Sequence, residues 1–361
     1  MRKIKKSLKY ILNVGFIALI CWLTFRLLFS GQEFSQIISD LRIADKRWLA
    51  AGAVLTFMFV SGESWVIYYM LGLFGQKTRF CRCLKYSFIG FFFSYITPSS
   101  SGGQPAQMYY MKKDGIKIGF STLIMLVITV AYKSVLVILG GVFLIFNFDY
   151  VRLHMGGVGW LLTLGFFLNA AFIAALAFIF FKPSWARKMG IRLVNFLTGR
   201  KLVKPKNNEK YVSKITRICD TYTMGTSYIK ENLHTVLNVF IITVVQRLSL
   251  FAVTWAVYKS YGLSGASLAE IVCLQVMVAV SVEMLPLPGA AGITEGCFVF
   301  VFDKIFGSGF VKPALLLSRG LTFYAVLIVG GIVTLAAHIL VVRSDKKMLS
   351  PDNNTGNRSD K

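Results

Sequence analysis

The sequence predicts an all-α polytopic membrane protein, and three observations carry that prediction. The chain is 55% hydrophobic with a mean hydropathy of +0.63. Several of its apolar runs reach the roughly 20 residues that a helix needs to cross a bilayer. Its net charge of +24, from 40 Lys and Arg against 16 Asp and Glu, falls mainly between those runs. In a soluble chain that excess would suggest nucleic acid. Confined to loops, it fits cytoplasmic orientation and contact with anionic lipid, so no nucleic-acid partner is expected.

Arg2, Lys3, Lys5, Lys6 and Lys9 precede an apolar run over residues 10–29. No small-residue cleavage site follows at Leu28-Phe29-Ser30, so the run is expected to remain as a first crossing with the N-terminus in the cytoplasm. Further crossings are expected over residues 48–74, 118–146, 158–181, 235–258 and 313–342. That makes about six with both termini inside. Trp22, Trp48, Trp160 and Trp185 read as interface anchors. The largest polar region, 182–234, carries 12 Lys and Arg against three Asp and Glu and is assigned to the cytoplasm. Within it Tyr211, Ile215, Ile218, Tyr222 and Ile229 recur at helical spacing, predicting an amphipathic helix on the inner leaflet. One membrane domain spanning 1–345, followed by a polar cytoplasmic tail over 346–361, accounts for the chain.

Two segments break this pattern. Thr97-Pro98-Ser99-Ser100-Ser101-Gly102-Gly103-Gln104-Pro105-Ala106-Gln107 lies between aromatic runs, and Leu287-Pro288-Gly289-Ala290-Ala291-Gly292-Ile293-Thr294-Glu295-Gly296 lies late in the chain. Each sets a proline four residues before a glycine, Pro98 with Gly102 and Pro288 with Gly292. Proline removes an amide hydrogen and glycine tolerates unusual backbone angles, so both segments interrupt helices. Residues 86–97 reach only about half way across a ~30 Å core at about 1.5 Å per residue, and Lys112-Lys113 follows closely. Two re-entrant hairpins are therefore expected, the first opening inward and the second outward, as in an inverted-topology repeat. Cys81 and Cys83 then face the cytoplasm.

Six charges fall inside the apolar segments. Glu63, Lys133 and Arg247 lie near the middle of crossings, Glu283 and Glu295 flank the second break, and Arg319 lies about two turns into the last helix. Each costs roughly 2.5–3.5 kcal/mol at the bilayer centre and needs a partner or a wet cavity. Three acids and three bases also balance as three structural pairs. Taken with the two broken segments, they predict a polar cavity into which half-helix N-termini aim amide hydrogens, suiting a phosphate. The acids suit an amine. No metal-binding cluster, nucleotide-binding loop or nucleophile elbow is present in the sequence, so no metal, cofactor or catalytic residue is expected.

The two broken segments and Ser318-Arg319 resemble the membrane domain of bacterial lysylphosphatidylglycerol synthase/flippases, the multiple peptide resistance factor family, and its stand-alone relatives. The likeness extends from about Lys9 to Arg343. It implies translocation of aminoacylated phosphatidylglycerol across the bacterial cytoplasmic membrane, which lowers surface negative charge and protects against cationic antimicrobial peptides. The residues expected to bind substrate are the six charges with Pro98, Ser99, Ser100, Ser101, Gly102, Gly103, Gln104 and Gln107, and with Pro288, Gly289, Gly292 and Thr294. Implied partners are membrane phospholipid, a separate synthase and further copies of the chain. Full-length members also transfer lysine from lysyl-tRNA to phosphatidylglycerol. The residues after Arg343 are too few for that domain, so lysyl transfer is not expected of this chain alone. Phosphatidylglycerol lysyltransferase remains the alternative reading, and a transporter of another lipid or a polyprenyl phosphate a second.

Overall fold

A computed structural model describes residues 39, 42–97, 100–200, 208–285 and 292–349. The expected first crossing, Pro98, Ser99, Pro288 and Gly289 lie outside the described residues. Every regular element among those described is helical. In order these are α1 (Lys46–Leu73), α2 (Phe80–Ile96), α3 (Gly103–Lys113), α4 (Ile118–Phe146), α5 (Phe148–Met155) and α6 (Gly159–Phe181). Then follow α7 (Pro183–Gly199), α8 (Asn208–Glu231), α9 (Leu233–Ser260), α10 (Leu268–Val282), α11 (Ile293–Arg319) and α12 (Ala325–Leu349). Five described stretches are long and apolar enough to cross a membrane: Lys46–Leu73, Ile118–Phe146, Phe148–Phe178, Leu233–Ser260 and Ile293–Val341. The protein is an all-α polytopic membrane protein. Phe167, Ile328, Ile332, Leu335 and Leu340 are each more than half exposed, which suits side chains that meet lipid.

Local chemistry sets the helix ends. Asp45 caps α1 by accepting from the Arg47 amide at 2.8 Å. Ser267 and Glu270 form a capping box that starts α10. Between α2 and α3 the Thr97 hydroxyl accepts from the Gly102 amide at 2.8 Å and donates to the Phe93 carbonyl at 2.6 Å.

Glycines set how closely the helices approach. A Cβ on Gly103 would sit 2.1 Å from Ser94 Oγ and 2.6 Å from the Gly90 carbonyl, so α2 and α3 fold together only with glycine there. The long helices α1 and α9 pack along each other, and a Cβ on Gly62 would lie 2.7 Å from Gln246 Cβ. Each hairpin's first arm is also gripped by a glycine of a long helix. Gly165 of α6 meets the Val280 carbonyl of α10, and Gly330 of α12 meets the Phe88 carbonyl of α2, where added Cβ atoms would lie at 2.1 and 2.8 Å.

Several boundaries differ from the sequence expectation. The α2 arm begins at Phe80, before the expected start at residue 86, so Arg82 and Lys85 ride on it. The helix that carries the start of the expected 313–342 crossing begins earlier, right after one non-helical residue, Gly307, with φ 75° and ψ 156°. The amphipathic stretch expected within the polar 182–234 region lies on α8. The region forms α7 and α8, which pack together and share an Arg187–Asp220 ion pair at 3.3 Å, and α8 rests against α4. Of the expected anchors, Trp48 packs edge-on against Trp255 at 5.2 Å, while Trp160 and Trp185 are exposed. The tail expected from residue 346 begins as a continuation of α12.

Candidate functional site

The six intramembrane charges come from α1, α4, α9, the end of α10, and both ends of α11. Glu63 lies ten residues before the end of α1, about 15 Å along its axis. Its Oε1 accepts from Gln107 Nε2 of α3 at 2.5 Å. Glu283 follows the last turn of α10 and accepts from two cations, Arg247 Nη1 at 2.7 Å and Lys133 Nζ at 3.1 Å. Glu295 Oε1 lies 2.8 Å from Arg319 Nε, and its Oε2 accepts from the Gly292 amide at 2.5 Å. One carboxylate therefore serves both the second break and the last crossing.

This is not the arrangement of three one-to-one pairs that charge balance alone allowed. Glu283 takes two bases, Glu295 one, and Glu63 an amide. Arg319 is also deeper than expected. The helix that carries it starts at the Gly307 kink rather than at Pro313, so it lies 12 residues along that helix, about 18 Å.

Aromatic side chains that sequence reasoning missed join the charges. The Arg247 guanidinium is wholly buried, 4.0 Å from the Tyr132 ring centroid and 4.9 Å from that of Phe251. Arg319 lies over Phe323, which itself stacks on Tyr95 at 4.6 Å. Tyr95 is within electrostatic reach of Arg319, Glu63 and Glu283, and Tyr132 of Arg247, Glu283 and Glu63. The two tyrosines thus lie near members of each charged group. The Tyr95 hydroxyl donates to the Thr322 carbonyl at 3.1 Å, within the π-helical turn Gly320–Tyr324 directly after Arg319. Such turns widen a helix and free backbone carbonyls. One signal was available in the sequence, because a tyrosine inside an apolar run needs a partner for its hydroxyl.

Both arginines retain donors. Nε and Nη2 of Arg247 and of Arg319 are buried and make no hydrogen bond among the described residues. The Arg319–Glu295 approach is thus close in distance without hydrogen-bond geometry. A buried donor without a partner costs about 1–3 kcal/mol, more when charged, and marks a place for an acceptor.

The broken segments contribute unequally. Gln107 ties the first to the charges. Gln104 instead donates to Thr129 Oγ1, and Ser100 and Ser101 are exposed, Ser100 with φ 53°. Gly102 and Gly103 act as points of close packing, and Gly102 has an ordinary helical conformation with φ −84°. Gly292 is the residue whose backbone demands glycine, with φ 88° and ψ −57°. Thr294 is partly buried in the first turn of α11.

The family profile described as lysylphosphatidylglycerol synthase TM region matches residues 10–330, which include both broken segments and all six charges. The chain belongs to that family. Among its relatives is a UPF0104 membrane protein of Archaeoglobus fulgidus, 24% identical over 267 residues. That alignment covers 72% of this chain and 76% of the archaeal protein. Membership supports a lipid-related role in a membrane.

Proposed function

We propose that this protein moves a phospholipid carrying both a phosphate and an amine, such as aminoacylated phosphatidylglycerol, between leaflets of the cell membrane. The observation that carries this reading is the buried Arg247 and the partly buried Arg319, each with buried donors that make no hydrogen bond among the described residues, near a carboxylate, Glu63, that has no cation partner among them. A phosphodiester accepts hydrogen bonds in the geometry a guanidinium offers. An ammonium group matches Glu63. Charged side chains inside a bundle usually mark a substrate path. In this reading both termini and the basic 182–234 region face the cytoplasm, where a separate synthase supplies the aminoacyl ester. The outcome in a bacterium is a less negative surface and resistance to cationic peptides.

The test uses the purified protein in phosphatidylglycerol liposomes containing lysyl-phosphatidylglycerol. An impermeant amine reagent modifies the outer-leaflet pool. With the protein present, reaction should continue into the inner pool, and Arg319→Gln should slow it at unchanged protein yield. A reaction that stops at the outer pool with and without protein would refute the proposal.

A further inference from the structure

The three intramembrane carboxylates are treated differently. Glu283 is held by two cations, and Glu295 by Arg319 and the Gly292 amide. Glu63 accepts a hydrogen bond from a neutral donor, Gln107 Nε2, and forms no ion pair among the described residues. The charged and titratable groups around it are otherwise engaged. Arg247 on α9 and Lys133 on α4 turn to Glu283, and Arg319 on α11 turns to Glu295. Tyr95 on α2 donates to Thr322, and Tyr132 on α4 lies against Arg247. An ionised carboxylate among apolar helices with a neutral hydrogen bond and no cation keeps an uncompensated charge. A proton or an incoming cation discharges it, and one site cannot hold both.

We infer that Glu63 is an exchange site at which a proton and the headgroup ammonium alternate, so that the proton gradient drives lipid movement. This rests on the translocation reading above and adds its energy source. When the ammonium binds, the Glu63 carboxyl releases its proton to water on that side; when the lipid leaves, a proton returns from the other side. Lysyl-phosphatidylglycerol, with two ammonium groups and one phosphodiester, carries a net charge of +1. Exchange for one proton therefore moves no net charge. Gln107 couples this chemistry to the first hairpin. Its amide is clamped against α2, because a Cβ on Gly90 would lie 2.4 Å from Gln107 Cδ. A carboxylate accepts from that amide, whereas a protonated carboxyl must donate elsewhere, so occupancy of Glu63 is transmitted to α3.

The experiment uses the full chain in phosphatidylglycerol liposomes with lysyl-phosphatidylglycerol, with and without a pH difference across the bilayer. At steady state the leaflet ratio of the lysyl lipid should shift about tenfold per pH unit, towards the acidic side. In weakly buffered detergent, adding lysyl-phosphatidylglycerol micelles should release protons, followed with a pH dye. Glu63→Gln keeps the size and hydrogen bonding of the side chain but should lose both the gradient response and the proton release. Glu63→Asp should retain both. If the wild-type protein moves lipid with a leaflet ratio indifferent to pH and without proton release, the exchange inference is overturned while translocation stands. If it moves no lipid under any gradient, both fall. The wild-type measurement decides the matter even where a variant does not fold.

Discussion

Glu283→Gln offers a strong test of the charge arrangement because one carboxylate holds two cations. Arg247 is wholly buried at 2.7 Å and Lys133 is 13% exposed at 3.1 Å. Removing one partner of a buried ion pair costs about 3–5 kcal/mol, since the other charge is left uncompensated. Here two charges are left together, which places Glu283→Gln at about 5 kcal/mol. Lys133→Met behaves differently. It leaves Arg247 and Glu283 as a one-to-one pair and removes an ammonium from an apolar site, so it should cost about 0–1 kcal/mol. Arg247→Met also leaves one pair, but it gives up contacts with the Tyr132 and Phe251 rings. Those are worth about 0.5–2 kcal/mol each, so its cost should be intermediate, about 1–3 kcal/mol. Reversible denaturant unfolding in detergent reads the order directly, with about 1.4 kcal/mol corresponding to a tenfold change in the folded-to-unfolded ratio. Combining Lys133→Met with Glu283→Gln should recover part of the loss. Lys133→Met as damaging as Glu283→Gln would refute the two-on-one arrangement.

Three further outcomes follow from the packing. Gly165→Ala should destabilise by about 1–3 kcal/mol because its Cβ meets backbone of α10, whereas Gly141→Ala, with open space around it, should be neutral or stabilising. Equal melting temperatures for the two would count against the α6–α10 contact. Gly292→Ala should cost about 1–3 kcal/mol through its positive φ although nothing crowds it, while Gly296→Ala one turn later should not destabilise; unfolding midpoints that fail to separate would contradict the strained start of α11. Cys81 is exposed and Cys83 buried, so an impermeant thiol reagent should label Cys81 only in opened cells and Cys83 only after denaturation. Labelling of Cys81 in intact cells would reverse the proposed orientation.

The sequence by itself determined the membrane class, most of the crossings and the identity of the six charges. Those features are local: an apolar run must become a helix in a bilayer because its backbone polar groups have no other partners. It also marked Gly292, because proline and glycine act on the backbone where they stand. It did not determine that residues 308–312 are helical, since Gly307-Ser308-Gly309 and Pro313 read as turn residues, whereas the chain departs from helix at the single positive-φ residue Gly307. Nor did it determine who pairs with whom. Charge balance allowed three pairs, but the actual partners lie as far as 150 residues apart, Lys133 with Glu283. Only the crossing of α1 on α9, set by Gly62 against Gln246, and the grip of Gly165 on Val280 decide which charges meet. Glu63 is left with an amide for the same reason. Its helix is held where Arg247 turns to Glu283 and Gln107, wedged against Gly90, is the donor within reach.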